Sequence, residues 1–135
     1  MRQLLYALTM AVFGFAAVQA QAQSTPAGKW VAEEIGGSRV VGGQQTTLEL
    51  TDDGRAFGSG GCNRYRGTAE FDASSIAFKP LAGTKMACEA AVMEQEARFH
   101  QAVEQAKAWR IDAATRKLSL LNDGGTVLIR FAPME

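Results

Sequence analysis

Residues Gly58 to Gly67 read GSGGCNRYRG, and the shorter stretch from Thr84 to Cys88 reads TKMAC. Together the two stretches hold both cysteines of the chain, Cys62 and Cys88. Glycines crowd positions 58 to 61, which indicates a backbone that bulges, twists or closely approaches a neighbouring strand. The two stretches together predict a disulfide that ties a glycine-kinked strand to the start of a helix.

Residues 1–22 have the features of a cleavable secretory signal peptide. Arg2 supplies a positive charge, and an apolar run of about 15 residues follows from Leu4 to Val18. Val18–Ala20 and Ala20–Ala22 both fit the small-x-small rule for cleavage. The run is shorter than the roughly 20 residues of a membrane span, so an uncleaved anchor is the weaker alternative. We expect a periplasmic or secreted protein without stable membrane insertion.

Cleavage after residue 22 would leave residues 23–135, a length that suits one domain with one modest core. The full chain carries 14 basic and 14 acidic residues, and loss of Arg2 makes the formal charge about minus one. This balance gives no electrostatic footprint for nucleic acid or for an acidic membrane surface. We expect a monomer.

Export also decides how the two cysteines are interpreted. Outside the reducing cytosol, two cysteines in one small domain usually form a disulfide. The alternatives are two free structural thiols, a metal site or a catalytic thiol. A metal site needs more ligands at short spacing, and the sequence offers only His100 and scattered carboxylates. We therefore expect neither a metal nor another cofactor.

Short runs with strand character, separated by turn signals, fill most of residues 23–135. They are predicted at residues 28–35, 47–51, 55–59, 67–71, 75–79, 108–112, 117–121 and 126–132. Residues 52–54 and 122–125 are hairpin signals, because Asp, Asn and Gly tolerate the positive φ of tight turns. About eight short strands at regular spacing predict a mostly β (α+β) fold, a small antiparallel β-barrel.

One segment departs from the strand pattern. Residues 89–107 contain neither Gly nor Pro and are rich in helix-forming Ala, Glu and Gln. Val92, Phe99, Val103 and Ala106 fall on one stripe at helical spacing, so we expect a helix that packs on the barrel or closes it. Glu96 lies at the edge of this stripe, either as a rim residue or as a half-buried acceptor for backbone N–H groups.

A catalytic site could be imagined from Cys62, His100 and Glu96, since the last two share a helix face. A sulfur atom locked in a disulfide is not a nucleophile, and no helix N-terminus evidently activates Cys62. We therefore expect His100 to be an exposed helix residue and the protein to have no catalytic residues.

The residues after Cys62 allow two interpretations. In an extended strand, Arg64 and Arg66 point to one face and Tyr65 to the other. The arginines are either a spot that binds an anion or a partner, with Lys85 nearby through the disulfide, or a solvated face beside a packed tyrosine. Asn63 is expected to cap a turn or bulge, because Asn bonds local backbone readily.

With these residues assembled, the chain resembles the META domain family, which includes the HslJ-like heat-shock proteins. The matching pieces, in order, are Trp30, Thr47–Leu50, Asp53–Gly54, Gly58, Gly61–Gly67, Thr84–Cys88, Glu96, Phe99, Leu118, Leu120, Gly125 and Phe131. The chain departs from the family pattern at Ala69, where an aromatic residue is common, and at Trp109, where Tyr is usual. It also lacks the lipobox cysteine of lipoprotein relatives, so the resemblance implies no lipid anchor.

The resemblance implies a small, mostly antiparallel barrel with one helix, and a role in envelope or heat stress or in tolerance of certain antibiotics. It implies no shared catalytic activity. The candidate binding or structural motif comprises Gly61, Asn63, Arg64, Tyr65, Arg66, Thr84, Lys85, Met86 and Glu96. Our first hypothesis is a non-enzymatic binding or accessory module that contacts an unknown envelope protein. The alternative is a small-ligand carrier whose glycine-rich stretch lines the mouth of the barrel.

Overall fold

A single antiparallel sheet and one helix account for the regular structure of residues 10–16 and 25–134, the part of the chain that the computed structural model describes. The strands are β1 (Gly28–Ile35), β2 (Ser38–Arg39), β3 (Thr47–Leu50), β4 (Arg55–Ser59), β5 (Arg64–Phe71), β6 (Ile76–Phe78), β7 (Ala82–Gly83), β8 (Ala108–Ile111), β9 (Leu118–Leu121) and β10 (Val127–Pro133). The helix α1 (Ala90–Gln105) lies between β7 and β8. Most of the predicted signal peptide, residues 1–9 and 17–22, lies outside the described residues.

Eight of the strands follow one another in the order β6-β5-β4-β3-β1-β10-β9-β8, with β2 added to β1 and β7 to β5. The two ends of this order meet at a seam. Ser75, just before β6, bridges Ala108 at the start of β8. The backbone N–H of Trp109 donates to the carbonyl of Ser74 at 3.1 Å, and its indole N–H donates to the carbonyl of Asp72 at 2.9 Å. The sheet is thus a nearly closed barrel, as predicted, and closure protects its edges.

The core lies between the inner face of the barrel and α1. Leu48 and Leu50 of β3 alternate with partly exposed residues, and both are at most 2 % exposed. Phe99, Ala102 and Val103 of the helix are buried, as is Ala106 directly after it, whereas Val92 of the predicted stripe is only half-buried. The other large side chains that are at most 2 % exposed are Trp30, Ile35, Ile76, Leu118, Leu120, Ile129 and Phe131.

Both predicted hairpins form. Leu50 pairs with Ala56 across the turn at Gly54, whose φ of 88° favours glycine. The second hairpin joins β9 to β10, and there the Asn122 side chain accepts the backbone N–H of Thr126 at 2.9 Å. The strand β5 begins at Arg64, earlier than the predicted residue 67. The two-residue strands β2 and β7 were not predicted, because two residues carry no periodic signal.

Gly58 is required where β4 passes the first residue of β3. A Cβ atom on Gly58 would lie 2.4 Å from the Thr47 carbonyl oxygen, which also accepts the hydroxyl hydrogen of Tyr65. Substitution Gly58→Ala is therefore expected to lower the free energy of unfolding by about 1–3 kcal/mol, because the backbones must separate. The measurement is urea denaturation of the purified domain.

Gly43 provides the matched control for this prediction. It has open space around its Cα and no positive φ, so Gly43→Ala should change the free energy of unfolding by less than about 0.5 kcal/mol. Equal effects of the two substitutions would contradict the assigned close approach at Gly58.

Within residues 10–16 and 25–134, no helix has both the length and the apolar character needed to cross a membrane.

Candidate functional site

The two cysteines form the predicted disulfide, and the Cα atoms of Cys62 and Cys88 lie 6.0 Å apart. Cys62 lies in the short connection between β4 and β5, and Cys88 precedes α1 by two residues. The bond therefore fastens the connection between two barrel strands to the start of the helix. The described residues include no free cysteine, so neither sulfur atom is available as a nucleophile.

Glu96 is the buried partner of this connection and is only 5 % exposed. Its Oε1 accepts the backbone N–H groups of Cys62 at 3.1 Å and Asn63 at 2.6 Å. Its Oε2 accepts the side-chain amide of Asn63 at 2.8 Å. The sequence left two roles open for Glu96, and in the structure Glu96 is the acceptor for backbone N–H groups and not a rim residue.

Gly60 makes room for this carboxylate. A Cβ atom at Gly60 would lie 2.8 Å from both Cγ and Oε1 of Glu96. The neighbouring Gly61 has φ of 125°, a conformation that other residues rarely adopt. The glycines before Cys62 therefore allow the chain to pass close to the helix and present two N–H groups to one carboxylate oxygen.

Asn63 links Glu96 to the second cysteine stretch. Its side-chain oxygen accepts the hydroxyl of Thr84 at 2.9 Å and the backbone N–H of Met86 at 2.6 Å. Its side-chain amide donates to the Met86 carbonyl at 3.1 Å and to Glu96. The expected local cap is not what the structure has, since Asn63 bonds groups more than 20 positions away. We call Asn63, Thr84, Met86 and Glu96, with the backbone of Cys62, the Glu96–Asn63 network.

The Glu96–Asn63 network accounts for five residues of the candidate motif as structural elements. Asn63, Thr84, Met86 and Glu96 hold three chain segments together through main-chain and side-chain hydrogen bonds, and Gly61 contributes its backbone conformation. No buried side-chain polar atom of the described residues lacks a hydrogen-bond partner. The network therefore presents no spare acid or base for chemistry.

His100 is half-buried rather than exposed as expected. Its ring lies 5.6 Å from that of Tyr65 and 5.3 Å from that of Phe99. Burial holds the pKa of His100 below its usual value, with Lys85 lowering it further, while Glu96 and Glu104 act in the opposite direction. His100 is therefore a packing residue beside two aromatic rings, and the disulfide leaves it no thiol to activate.

Arg64 and Arg66 are exposed, and Tyr65 between them is buried on the opposite face of β5. The Tyr65 hydroxyl donates to the Thr47 carbonyl at 2.6 Å, and burial raises its pKa. On the paired strand β4, Phe57 faces Arg66, and Arg55 lies two residues away from Phe57. We call Arg55, Phe57, Arg64 and Arg66 the arginine face; together they line a shallow groove of about 710 Å³.

Lys85, expected beside the arginines, belongs to a different concavity. A cleft of about 650 Å³ lies between α1, from Met93 to Glu104, and the segment from Phe78 to Met86. Lys85 and His100 both line this cleft, which we call the helix cleft. The sequence did not indicate it, because residues 79–86 carry no periodic pattern and their partners lie on the helix. Phe57 was also missed, although the hairpin register would have placed it beside Arg66.

Neither the arginine face nor the helix cleft suits a metal ion. No group of three or more His, Cys, Asp or Glu residues within residues 10–16 and 25–134 has the arrangement needed to hold one. Inside the barrel, side chains such as Phe99, Ile129 and Phe131 fill the space and are fully buried. The arginine face and the helix cleft are both concavities on the outside of the barrel.

Comparison with known proteins agrees with this architecture. The family model of the META domain matches residues 22–135. The NMR structure of a protein from Burkholderia xenovorans is similar, with 26% identity, a TM-score of 0.65, and coverage of 79% of this chain and 81% of that one. A second NMR structure, at 18% identity and a TM-score of 0.59, covers 78% of this chain and 88% of its own and shares the fold. Among proteins of curated function, none matches the chain. The match over residues 22–135 shows that the chain belongs to the META domain family.

Proposed function

We propose that this protein is an exported, non-enzymatic binding module that contacts an acidic protein partner of the cell envelope through the arginine face. The observation that carries the proposal is the exposure of Arg64 and Arg66 beside Phe57. No ion pair of the described residues includes either arginine. Arginine and aromatic residues together are characteristic of protein interfaces, where guanidinium groups pair with carboxylates.

The absence of catalytic activity is part of the proposal and has chemical support. The groups that usually carry catalysis are engaged elsewhere, since Cys62 is in the disulfide and Glu96 accepts three N–H groups. Arg64 and Arg66 of the arginine face, by contrast, form no ion pair among the described residues, whereas Arg55 pairs with Asp53 at 3.6 Å. Removing the guanidinium groups of the arginine face from water on binding costs free energy. This cost is recovered only when carboxylates of a partner pair with them.

Export is the second part of the proposal. The apolar run after Arg2 supports it, and the disulfide is consistent with an oxidising compartment. The role in heat or envelope stress, and in antibiotic tolerance, follows only from the resemblance to the family. A binding module that remains folded under stress fits such a role, because a covalent bond and a buried polar network both resist unfolding.

The carrier hypothesis finds less support. The barrel interior is filled, and the glycine-rich stretch packs against Glu96 and Val92 instead of lining an open mouth. A small ligand would therefore have to occupy a surface concavity, which is a different hypothesis from storage inside the barrel.

The acidic partner is tested with a defined probe, immobilised poly-glutamate, and the double variant Arg64→Glu/Arg66→Glu. Reversal of two charges should weaken retention at least about tenfold, because like charges would then face each other. The control, Arg98→Glu/Arg110→Glu, has the same net charge but changes exposed arginines outside the face. If both double variants lose retention equally, the net charge and not the arginine face explains the binding, and the proposal is wrong.

A further inference from the structure

The helix cleft has the size and shape of a ligand site. Its volume of about 650 Å³ lies within the roughly 300–1,000 Å³ that small-molecule sites occupy. One wall is the helix from Met93 to Glu104, and the other is the segment from Phe78 to Met86. The cleft adjoins the groove of the arginine face at Gly83 and Thr84, but Arg55, Arg64 and Arg66 do not line it, so its occupant does not depend on the function proposed above.

Apolar side chains line one part of the cleft. Phe78, Leu81 and Met93 are half-buried along it, and Val103 forms part of its floor. Met86, at the rim, is 59% exposed and can adapt to different shapes because its side chain is unbranched. These walls suit an apolar body, which would remove them from water on binding.

One positive charge at the rim is not paired. No ion pair of residues 25–134 includes Lys85, whereas Lys79 lies 3.7 Å from Glu70. Glu104 and the engaged carboxylate of Glu96 line the cleft on the helix side. This distribution accommodates one anionic group near Lys85 and opposes a second anionic group near the helix.

Both walls are held at a fixed separation before any ligand arrives. The Glu96–Asn63 network fixes Thr84 and Met86 on one side and the helix on the other. The disulfide at Cys88 holds the end of the segment to the same connection. A preformed cleft of this kind binds without the cost of ordering its own walls.

We propose that the helix cleft binds a small amphipathic anion, with its apolar body against Phe78, Leu81 and Met93 and its single anionic group at Lys85. Sugars suit the cleft poorly, because the polar atoms of Asn63 and Glu96 are already bonded to the protein. Polyanions suit it poorly because Glu104 and Glu96 would repel further charge. The ligand class is thus an apolar, drug-sized molecule with one acidic group.

Two probes with the same aromatic body test this assignment. Anilinonaphthalene sulfonate carries one sulfonate, and N-phenyl-1-naphthylamine lacks it; both are titrated by fluorescence against the oxidised protein. Lys85→Glu should weaken binding of the sulfonate probe at least about tenfold and binding of the neutral probe less than about threefold. The control Lys107→Glu, an exposed lysine just beyond α1, should leave both affinities unchanged.

The location of the probe is read independently from backbone amide chemical shifts. Shifts should cluster at Leu81, Met93 and His100 and should be small at Arg55 and Phe57 of the arginine face. Lys85 is exposed, so its substitution should leave the melting temperature unchanged. Equal losses for Lys85→Glu and Lys107→Glu, absence of binding to the unmodified protein, or shifts centred on the arginine face would each overturn the assignment.

Discussion

Substitution Glu96→Ala is expected to lower the free energy of unfolding by about 3–5 kcal/mol. It leaves the N–H groups of Cys62 and Asn63 and the side-chain amide of Asn63 without their acceptor. Little water reaches the site, since Glu96 is 5 % exposed, and buried donors that lose a charged acceptor are among the most costly defects. Urea denaturation at neutral pH measures the change against a total of roughly 5–15 kcal/mol for a domain of this kind.

The conservative variant Glu96→Gln separates charge from shape. Its carbonyl can still accept two N–H groups, but its amide would face the amide of Asn63, so two donors would meet. Asn63 cannot turn over without losing its bonds from Thr84 and Met86. We expect a loss of about 1–3 kcal/mol. The control Glu94→Ala, at an exposed position of the same helix, should change stability by less than about 0.5 kcal/mol; a loss as large as that of Glu96→Ala would contradict the network.

Reduction of the disulfide is expected to lower the free energy of unfolding by about 3–4 kcal/mol in the chain-entropy model. The bond joins residues 26 positions apart and therefore restricts a mid-sized loop of the unfolded chain. The measurement compares urea denaturation of the oxidised protein with and without a reductant. The mass of the oxidised protein should also be lower than that of the reduced protein by two hydrogen atoms.

The variant Cys62→Ser/Cys88→Ser is the control for the reductant. It should be as unstable as the reduced protein, and the reductant should have no effect on it. If reduction of the disulfide does not change the denaturation midpoint, the Glu96–Asn63 network alone holds the connection between β4 and β5 to the helix.

The sequence predicted the fold well where residue patterns are local. The alternation of Leu48 and Leu50 indicated a strand, and the turn at Gly54 indicated its hairpin. The absence of Gly and Pro indicated the helix, which is shorter than predicted by one residue at the start and two at the end. The seam between Ser75 and Ala108 could not be predicted, because strand order depends on how the whole sheet curls and not on any one segment.

Less of the candidate site than of the fold could be predicted from the sequence. The pairing of Cys62 with Cys88 followed from the small number of cysteines and from expected export. The acceptor role of Glu96 depends on N–H groups more than 30 positions earlier, which no local pattern reveals. His100 was expected to be exposed because it is not part of the apolar stripe predicted for its helix. Residues 79–86, which have no periodic pattern, lie beside it and form much of the opposite wall of the helix cleft.

The two tryptophans, Trp109 and Trp30, lie at different distances from the barrel seam and can therefore serve as separate fluorescent reporters. Trp109 lies at the seam, where its indole N–H bonds to Asp72, so its emission should respond when β6 and β8 part locally. Trp30 lies on β1, midway along the strand order, and its indole N–H bonds to Pro26 at 2.9 Å. Replacing one tryptophan by phenylalanine leaves the emission of the other to be measured alone. The emission of Trp109 should then report local opening of the seam, and that of Trp30 should report unfolding of the whole domain.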